Sequence, residues 1–283
     1  MAAGRHRVLR IGEAGVSWIT DDLSSEEPLE IRLDGSPLSV TMRTPGDDFD
    51  LAAGFLITEG IIAAATEISS MRMCPRSGAE SGPLNVVEVV LRHHPEPPPD
   101  PRAFYMTSSC GICGKASIDS VRTQSRHPVD GDPLVVSTSL LASLPGRLRE
   151  AQRQFARTGG LHAAGLFDEL GNLLCAREDV GRHNAFDKVI GWAATAGRLP
   201  LRSHMILASG RASFELTQKA LMAGIPLLAA VSAPSDLAVA LASEAGMTLV
   251  GFLRGPTMNV YAGQHRVSAS TAPALDPGQR AAG

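Results

Sequence analysis

The sequence is poor in aromatic residues and has no excess of positive charge. Phe, Trp and Tyr together make up 4% of the 283 residues, and the formal net charge is −3. A nucleic-acid-binding protein needs a basic surface, and a single-strand binder also needs aromatic side chains on which bases stack. The composition therefore argues against nucleic acid as a partner.

Long apolar runs are also missing. The longest uncharged stretch lies between Lys219 and Asp236, and glycine, proline and serine interrupt it. A membrane-spanning helix needs about 20 predominantly apolar residues, and a signal peptide needs an apolar region behind its charged start, which the N-terminus here lacks. We therefore expect no membrane association and a cytoplasmic location.

Cysteine is scarce as well, with four in the chain: Cys74, Cys110, Cys113 and Cys175. Without a secretion signal these thiols are expected to be reduced, which favours catalysis or metal binding over disulfides. The 44% hydrophobic content is enough to build a sizeable core without covalent cross-links.

The first third of the chain has the pattern of β structure. Segments 30–34 and 38–43 alternate apolar and polar residues, and Asp34-Gly35 between them indicates a tight turn. A helix is predicted after Thr44-Pro45, ending at Gly60. Residues 1–132 are therefore predicted to form a β-rich N-terminal lobe that carries the cysteine loop.

From about residue 133 short apolar runs alternate with amphipathic segments. This alternation predicts an α/β lobe, residues 133–262, around a largely parallel or mixed sheet. Residues 263–283 are rich in Ala, Pro, Gly and Ser without periodicity, and we expect a disordered tail there. The predicted strands are 163–167, 173–176, 205–208, 227–231 and 249–252, and the predicted helices are 140–157, 183–194, 215–223 and 236–244.

The sharpest local feature is the segment 107–115, in which Cys110 and Cys113 are separated by two residues. This spacing commonly lowers a cysteine pKa, and Lys115 would further stabilise a thiolate. A zinc site is the structural alternative, but it needs four ligands, and no second pair with regular spacing is present. A thioredoxin-like redox role also fits poorly because the pair does not follow a βα start. Sulfur handling is the favoured interpretation.

Four polar clusters punctuate the predicted α/β lobe. Most of them fall where a strand ends or a helix begins, the edge at which such sheets bind ligands. Helix N-termini and arginines at that edge favour phosphates, so the clusters predict an anionic ligand that carries a pyrophosphate. Each cluster alone also fits a helix cap, a solvated charged run or a buried histidine. The clusters are Thr158–Ala164, Arg177–Asn184, Ser209–Ser213 and Phe252–Thr257.

One of these clusters raises the possibility of a zinc deaminase. His162-Ala-Ala resembles the H-x-E element of those enzymes, but Ala164 stands where the proton-shuttling glutamate is required. No P-C-x-x-C element follows it. The sequence thus argues against deaminase activity.

Several long motifs occur in the order that is typical of one family. Residues 42–48, 54–60, 109–114, 158–162, 177–188 and 209–211 together resemble the formate dehydrogenase accessory sulfurtransferase family, known as FdhD. The resemblance runs from about residue 15 to 262, and a series of motifs in order is much more specific than a lone CxxC.

The resemblance implies a cytidine-deaminase-like fold for the second lobe and a function in sulfur transfer. Family members take sulfane sulfur from a cysteine desulfurase and deliver it to the bis-guanine-dinucleotide molybdenum cofactor, for insertion into formate dehydrogenase. Cys110 matches the persulfide cysteine, and Cys113 matches the second loop cysteine, which would assist transfer. No permanently bound metal is implied, and we expect a homodimer.

The cofactor-binding residues follow from the resemblance and from the polar clusters together. The last cluster matches the family's cofactor-binding stretch, and we expect the Ser209–Ser213 loop and Arg254 to hold phosphates. The alternative is a non-catalytic cofactor chaperone with a structural metal at the CxxC. The predicted cofactor-binding residues are Phe252, Leu253, Arg254, Gly255, Pro256, Thr257, Ser209, Gly210, Arg211 and His162.

Overall fold

The computed structural model describes residues 3–13, 15–75, 84–93 and 125–269. Within them the chain forms a mixed α/β fold, as the sequence predicts. The strands are β1 Ala3–Gly12, β2 Gly15–Ser24, β3 Glu27–Leu33, β4 Ser36–Arg43, β5 Ile68–Cys74, β6 Val86–Leu91, β7 Val136–Ser137, β8 His162–Phe167, β9 Leu173–Asp179, β10 Met205–Ala208, β11 Leu227–Ala230, β12 Thr248–Arg254, β13 Thr257–Ala262 and β14 Val267–Ser268. The helices are α1 Asp48–Thr58, α2 Thr138–Ala151, α3 Arg153–Thr158, α4 Arg182–Thr195, α5 Phe214–Met222 and α6 Asp236–Glu244.

The first part of the chain contains a hairpin and a small sheet. Strands β1 and β2 pair with each other along their full length, and the hairpin's two strands make no ladder with any other described strand. A four-stranded sheet follows in the order β4-β3-β6-β5, with β3 and β6 parallel. Asp34 and Gly35 form the turn between β3 and β4, both at positive φ, as the turn prediction requires.

The second part contains a six-stranded sheet in the order β13-β12-β11-β10-β8-β9. Strands β10, β11 and β12 are parallel, whereas β8, β9 and β13 are antiparallel to their neighbours. Helices α4 and α5 follow β9 and β10, so their N-termini lie near the edge at which the parallel strands end.

Helices α1 and α4 join the two sheets into one core. At their crossing the backbones are in direct contact: a Cβ added to Gly54 would lie 1.8 Å from the carbonyl oxygen of Asp187, and one added to Gly191 would lie 1.8 Å from that of Asp50. Only glycine permits this approach. The largest buried hydrophobic cluster accordingly contains residues of both sheets, such as Leu29, Val87, Ile206 and Leu228.

The predicted helix 140–157 is in fact two helices. The break lies at Gln152, whose backbone is not helical (φ −79°, ψ 70°). The Glu178 carboxylate, from β9, accepts hydrogen bonds from the backbone N–H groups of Gln154 (2.9 Å) and Phe155 (2.7 Å) and thereby caps a new helix start. This cap comes from a residue distant in sequence, so the local pattern does not reveal it.

The folded chain extends beyond residue 262. The Arg266 side chain is buried and donates hydrogen bonds to the carbonyl oxygens of Val129 and Gly246, each at 2.7 Å. Strand β14 pairs in parallel with β7. The expectation of disorder is therefore wrong for residues 263–269, because a buried arginine and two strand residues anchor them. Residues 270–283 lie outside the described residues.

Candidate functional site

The predicted sulfur-handling residues Cys110 and Cys113 lie outside the described residues. The candidate ligand-binding site within the described residues lies at the edge of the six-stranded sheet where the sequence predicts that the polar clusters meet.

The topology brings all four clusters to one edge. The carboxyl ends of the parallel strands β10, β11 and β12 meet there, strand β8 begins there, and β9 ends there, since Ala208 pairs with Ala164 and His162 with Asp179. This arrangement agrees with the rule that α/β sheets bind ligands at the carboxyl ends of their parallel strands.

The loop after β10 is tightly held to its neighbours. The Ser209 hydroxyl accepts a hydrogen bond from the Ala163 N–H (2.8 Å), and the Gly210 carbonyl accepts one from the Ser232 N–H (3.1 Å). A Cβ on Gly210 would lie 3.4 Å from Nδ1 of His162, so the glycine leaves the face of this imidazole open. Arg211 is exposed.

The segment 252–257 forms the end of β12, a turn and the start of β13. Its position is fixed by two hydrogen bonds: the Phe252 N–H donates to the Ser232 carbonyl, and Arg254 Nε donates to the Val231 carbonyl, both at 3.1 Å. Gly255 and Pro256 make the turn into Thr257, and Gly255 has the positive φ that such a turn favours. Leu253 is fully buried in the core, so the prediction that it contacts the cofactor is wrong: the residue packs inside the sheet and does not face a ligand.

An open cleft of about 810 Å³ lies between this edge and helices α2 and α3. Its walls include Arg149, Phe155, Gly160, His162 and Ser209. Burial lowers the pKa of His162 below its usual value, and the charges of Arg182 and His183 lower it further, while Asp179 acts in the opposite direction. Both effects favour the neutral form of the His162 imidazole.

The turn that leads into α4 is organised by the buried Asp179 carboxylate. One oxygen accepts from the Gly181 N–H (2.8 Å) and from Asn184 Nδ2 (3.0 Å), and the other accepts from the Thr44 N–H (3.1 Å) and lies 2.8 Å from Lys188 Nζ. Because Thr44 follows β4, the N-terminal part of the chain directly holds the turn that precedes Arg182 and His183 at the start of α4.

A second buried ion pair lies further along α4. Lys219 Nζ is 2.9 Å from both carboxylate oxygens of Asp187, and the Thr58 hydroxyl donates to the same carboxylate at 2.7 Å. Glu59 approaches the ammonium at 3.3 Å. The pair joins α1, α4 and α5, and its burial indicates that it holds the scaffold together.

At the exposed end of α4 the contacts are looser. His183 Nε2 lies 3.5 Å from the Ser213 hydroxyl and 3.8 Å from Oε2 of Glu215. Ser213 caps α5, and Glu215 lies in its first turn. The interaction with His183 is the largest cause that lowers the pKa of Glu215 to about 2. The cluster is thus a partly exposed histidine beside an ionised carboxylate.

The structure bears on two alternatives to sulfur transfer, a zinc deaminase and a metal site. Ala164, at the glutamate position of the deaminase element, is fully buried in the sheet, so that element has no catalytic group at this position. Burial raises the pKa of Cys175 to about 12, which makes its thiol a poor metal ligand or nucleophile. In the described part of the chain, no three His, Cys, Asp or Glu side chains are grouped as metal ligands.

Sequence reasoning missed Lys219, Glu215 and Thr44 as partners of the motif 177–188. The motif itself was visible, but its partners come from elements 30 to 140 residues away in the chain, as Lys219–Asp187 and Thr44–Asp179 show. No local signal marks such a pairing.

Comparison with known proteins identifies the family. The FdhD/NarQ family profile matches residues 24–268. The chain belongs to the FdhD/NarQ family. Among its relatives are two proteins named sulfur carrier protein FdhD: that of Streptomyces avermitilis is 58% identical over 95% of this chain and 97% of its own length, and that of Mycobacterium tuberculosis is 52% identical over 94% and 99%.

One solved structure is similar in fold to this FdhD/NarQ chain. It belongs to a protein from Desulfotalea psychrophila assigned as a formate dehydrogenase accessory protein, with a TM-score of 0.73 over 95% of this chain and 100% of that one. At 24% identity it supports the fold alone. In the part of this FdhD/NarQ chain that the structure describes, no helix has the length and hydrophobicity needed to cross a bilayer.

Proposed function

We propose that this FdhD/NarQ protein is a sulfurtransferase that carries sulfur as a persulfide on Cys110. It accepts sulfane sulfur from a cysteine desulfurase and passes it to its substrate, the bis-guanine-dinucleotide molybdenum cofactor. The cofactor is then inserted into formate dehydrogenase. The observation that carries the proposal is the near full-length similarity, at 46–58% identity, to proteins named sulfur carrier protein FdhD.

The loading step needs a reactive thiolate, and the CxxC segment supplies a candidate. In this step the Cys110 thiolate attacks the outer sulfur of the desulfurase persulfide, an S–S bond forms on Cys110, and the desulfurase cysteine leaves as a thiolate. The step resembles thiol–disulfide exchange and needs no added oxidant. Cys113 would assist the subsequent transfer.

The substrate-binding step is supported by the polar edge of the sheet. A guanine dinucleotide presents pyrophosphates, which are bound by glycine-flanked amides, helix N-termini and arginines. The loop Ser209–Arg211 and the exposed Arg254 offer these groups at one edge, and His162 lines the adjoining cleft. We propose this edge as the binding site for the nucleotide part of the cofactor.

Loading would be tested with the purified full-length protein, a cysteine desulfurase and cysteine. Peptide mass spectrometry is expected to find one additional sulfur on the peptide that contains Cys110, and reduction should remove it. Cys110→Ala should abolish this modification and the maturation of formate dehydrogenase in cells, while Cys74→Ala serves as the matched control. Full maturation by Cys110→Ala would contradict the assignment.

The same purified protein and desulfurase mixture also distinguishes a sulfur carrier from a chaperone that only holds the cofactor. The chaperone would bind guanine nucleotides, contain stoichiometric zinc at the CxxC and tolerate the loss of the Cys110 thiol. An unmodified cysteine segment in an active desulfurase mixture, together with bound zinc, would favour the chaperone. Sedimentation of the purified protein would test the proposed homodimer.

A further inference from the structure

We propose that Glu178 is a positioning residue for the ligand cleft, because its carboxylate starts α3 and thereby holds this helix as one wall of the cleft. The inference rests on the proposed function, since it concerns the shape of the site that the proposed substrate enters. Glu178 does not line the cleft itself, whereas Phe155 of α3 and the following Gly159 and Gly160 do. It therefore acts on a ligand only through α3.

Helix α3 has little hold of its own on the rest of the fold. It is six residues long, and none of its residues is buried. Short helices are unstable alone, and most helices in proteins are stabilised by packing of an apolar face, which α3 lacks. The guanidinium of Arg149, from α2, lies 4.2 Å from the centre of the Phe155 ring. The position of α3 therefore depends on this stacking and on the polar contacts at its two ends.

Glu178 supplies the contact at the N-terminal end of α3. The N-cap residue Gln152 makes no side-chain cap, so the first N–H groups of the helix need acceptors from elsewhere. The N–H of Gln154 donates to one oxygen of Glu178 and the N–H of Phe155 donates to the other. Because both oxygens are engaged, the carboxylate fixes the direction of the helix as well as its start.

Strand β9 sends two neighbouring carboxylates to opposite faces of the sheet, as successive residues of a strand do. Glu178 pairs with Ala163, which packs in the same hydrophobic cluster as α2. Asp179 lies on the other face, 2.8 Å from Lys188 of α4. The next residue, Val180, lines the cleft. The end of β9 thus fixes α3 on one face of the sheet and the start of α4 on the other.

The C-terminal end of α3 is held by the hairpin of β1 and β2. The hydroxyl oxygens of Thr158 and Ser24 are 2.6 Å apart, and Arg157 lies 3.1 Å from Asp22. The side chain of Arg157 is 62% exposed, so this ion pair adds little stability. Loss of the Glu178 carboxylate should therefore release the start of α3 and leave its end attached to the hairpin.

Isothermal titration of the full-length protein with guanosine diphosphate tests the proposal, because this ligand represents the nucleotide part of the proposed substrate. Glu178→Ala should weaken binding about 2- to 30-fold, the range that corresponds to the loss of a helix cap. The direction of the change is informative. Removal of a negative charge should by itself strengthen the binding of an anion, so weaker binding indicates that the wall has moved.

Three further variants separate the position of α3 from the charge of Glu178. Glu178→Gln loses the charge but keeps an acceptor oxygen at the same reach, and should bind within about threefold of the wild type. Glu178→Asp keeps the charge but is one methylene shorter, so it should bind nearly as weakly as Glu178→Ala. The comparison of these two remains decisive if the alanine variant does not fold. Glu169→Ala, at an exposed glutamate between β8 and β9, is the matched control and should bind as the wild type does.

Hydrogen exchange and urea denaturation show whether the effect is confined to α3. In Glu178→Ala the amides of Gln154 and Phe155 should exchange about 10-fold faster, while those of β10 and β11 keep their protection. A merely structural role of Glu178 would lower the urea midpoint and leave the affinity of the folded protein unchanged. Weaker binding at an unchanged urea midpoint supports positioning.

The results distinguish this inference from the proposed function. Guanosine diphosphate binding that is unchanged or tighter in both Glu178→Ala and Glu178→Asp would overturn the inference and leave the proposed function standing. Glu178→Ala should still accept sulfur on Cys110 from the desulfurase, and failure to do so would overturn the assignment of Glu178 to the cleft alone. A wild type that does not bind the diphosphate would remove the nucleotide-binding part of the proposed function, and this inference with it.

Discussion

The two ends of the motif that runs through the first half of α4 differ in how tightly their charges are paired. Asp187 and Lys188 are buried and lie within 2.9 Å of their charged partners. His183, one turn earlier, is partly exposed and lies 3.5–3.8 Å from the groups that it faces. One stretch of sequence thus supplies both buried, tightly paired charges and a partly exposed histidine with longer contacts.

The difference indicates where binding energy is available. A buried ion pair with short contacts is already satisfied, and breaking it costs stability. A partly exposed histidine with contacts of 3.5–3.8 Å is held less tightly, so a ligand can compete with those contacts. Charged residues of one motif should therefore divide into those that affect folding and those that affect binding.

The largest effect is expected from Asp187→Ala. Removal of this carboxylate leaves the buried Lys219 ammonium with the Thr58 hydroxyl, at 2.9 Å, and the Glu59 carboxylate, at 3.3 Å, and should lower the free energy of unfolding by about 3 kcal/mol. Urea denaturation measures the change. The double variant Asp187→Leu with Lys219→Met, which removes both charges, should recover much of the loss. A loss below about 1 kcal/mol for Asp187→Ala would contradict the description of this pair as a scaffold.

A smaller loss is expected from Gly54→Ala, because the new methyl group would lie 1.8 Å from the Asp187 carbonyl oxygen and would force α1 and α4 apart. Overpacking of this kind costs about 1–3 kcal/mol. Gly146→Ala in α2 is the control, since nothing lies within 4 Å of the added atom. It should be neutral or slightly stabilising because alanine is the better helix former. Equal melting temperatures for the two variants would refute the close contact.

The smallest effect concerns Glu215 and pH. Its pKa is lowered in the folded protein from 4.5 to about 2, so it contributes stability above about pH 4.5 that is lost as the pH falls through about 2. The contribution is expected to be about 1–2 kcal/mol after allowance for partial exposure. Acid unfolding of the wild type and Glu215→Gln should therefore converge as the pH falls. Parallel curves would show that His183 does not stabilise this carboxylate.

Much of the second sheet could be predicted from the sequence because its strands are short apolar runs, and because three of the helices in this part, α2, α5 and α6, begin at serine caps. Strand 205–208 and helix 236–244 were predicted at their observed bounds. The hairpin 3–24 was missed because its strands carry many charges and expose apolar residues such as Ile11 and Trp18, so no alternation marks a buried face.

The candidate site was predicted only in outline. The sequence indicated that Ser209–Arg211, 252–257 and His162 would share an edge, because strand ends in an α/β sheet converge. It could not indicate that Glu178 starts α3 or that Glu215 faces His183, since both contacts depend on the packing of separate elements. Pairings across the fold are set by tertiary structure and not by local pattern.

The glycine contact between α1 and α4 has a consequence for synthesis of the chain. The buried face of α1, which includes Leu51 and Leu56, has its helical partners in α4 and α5, which end at Thr195 and Met222. A chain growing from the ribosome must expose that face while more than half of its length is still to be made. Such delayed closure slows folding and leaves an apolar helix open to aggregation, so the emerging protein should depend on chaperones until α5 is complete.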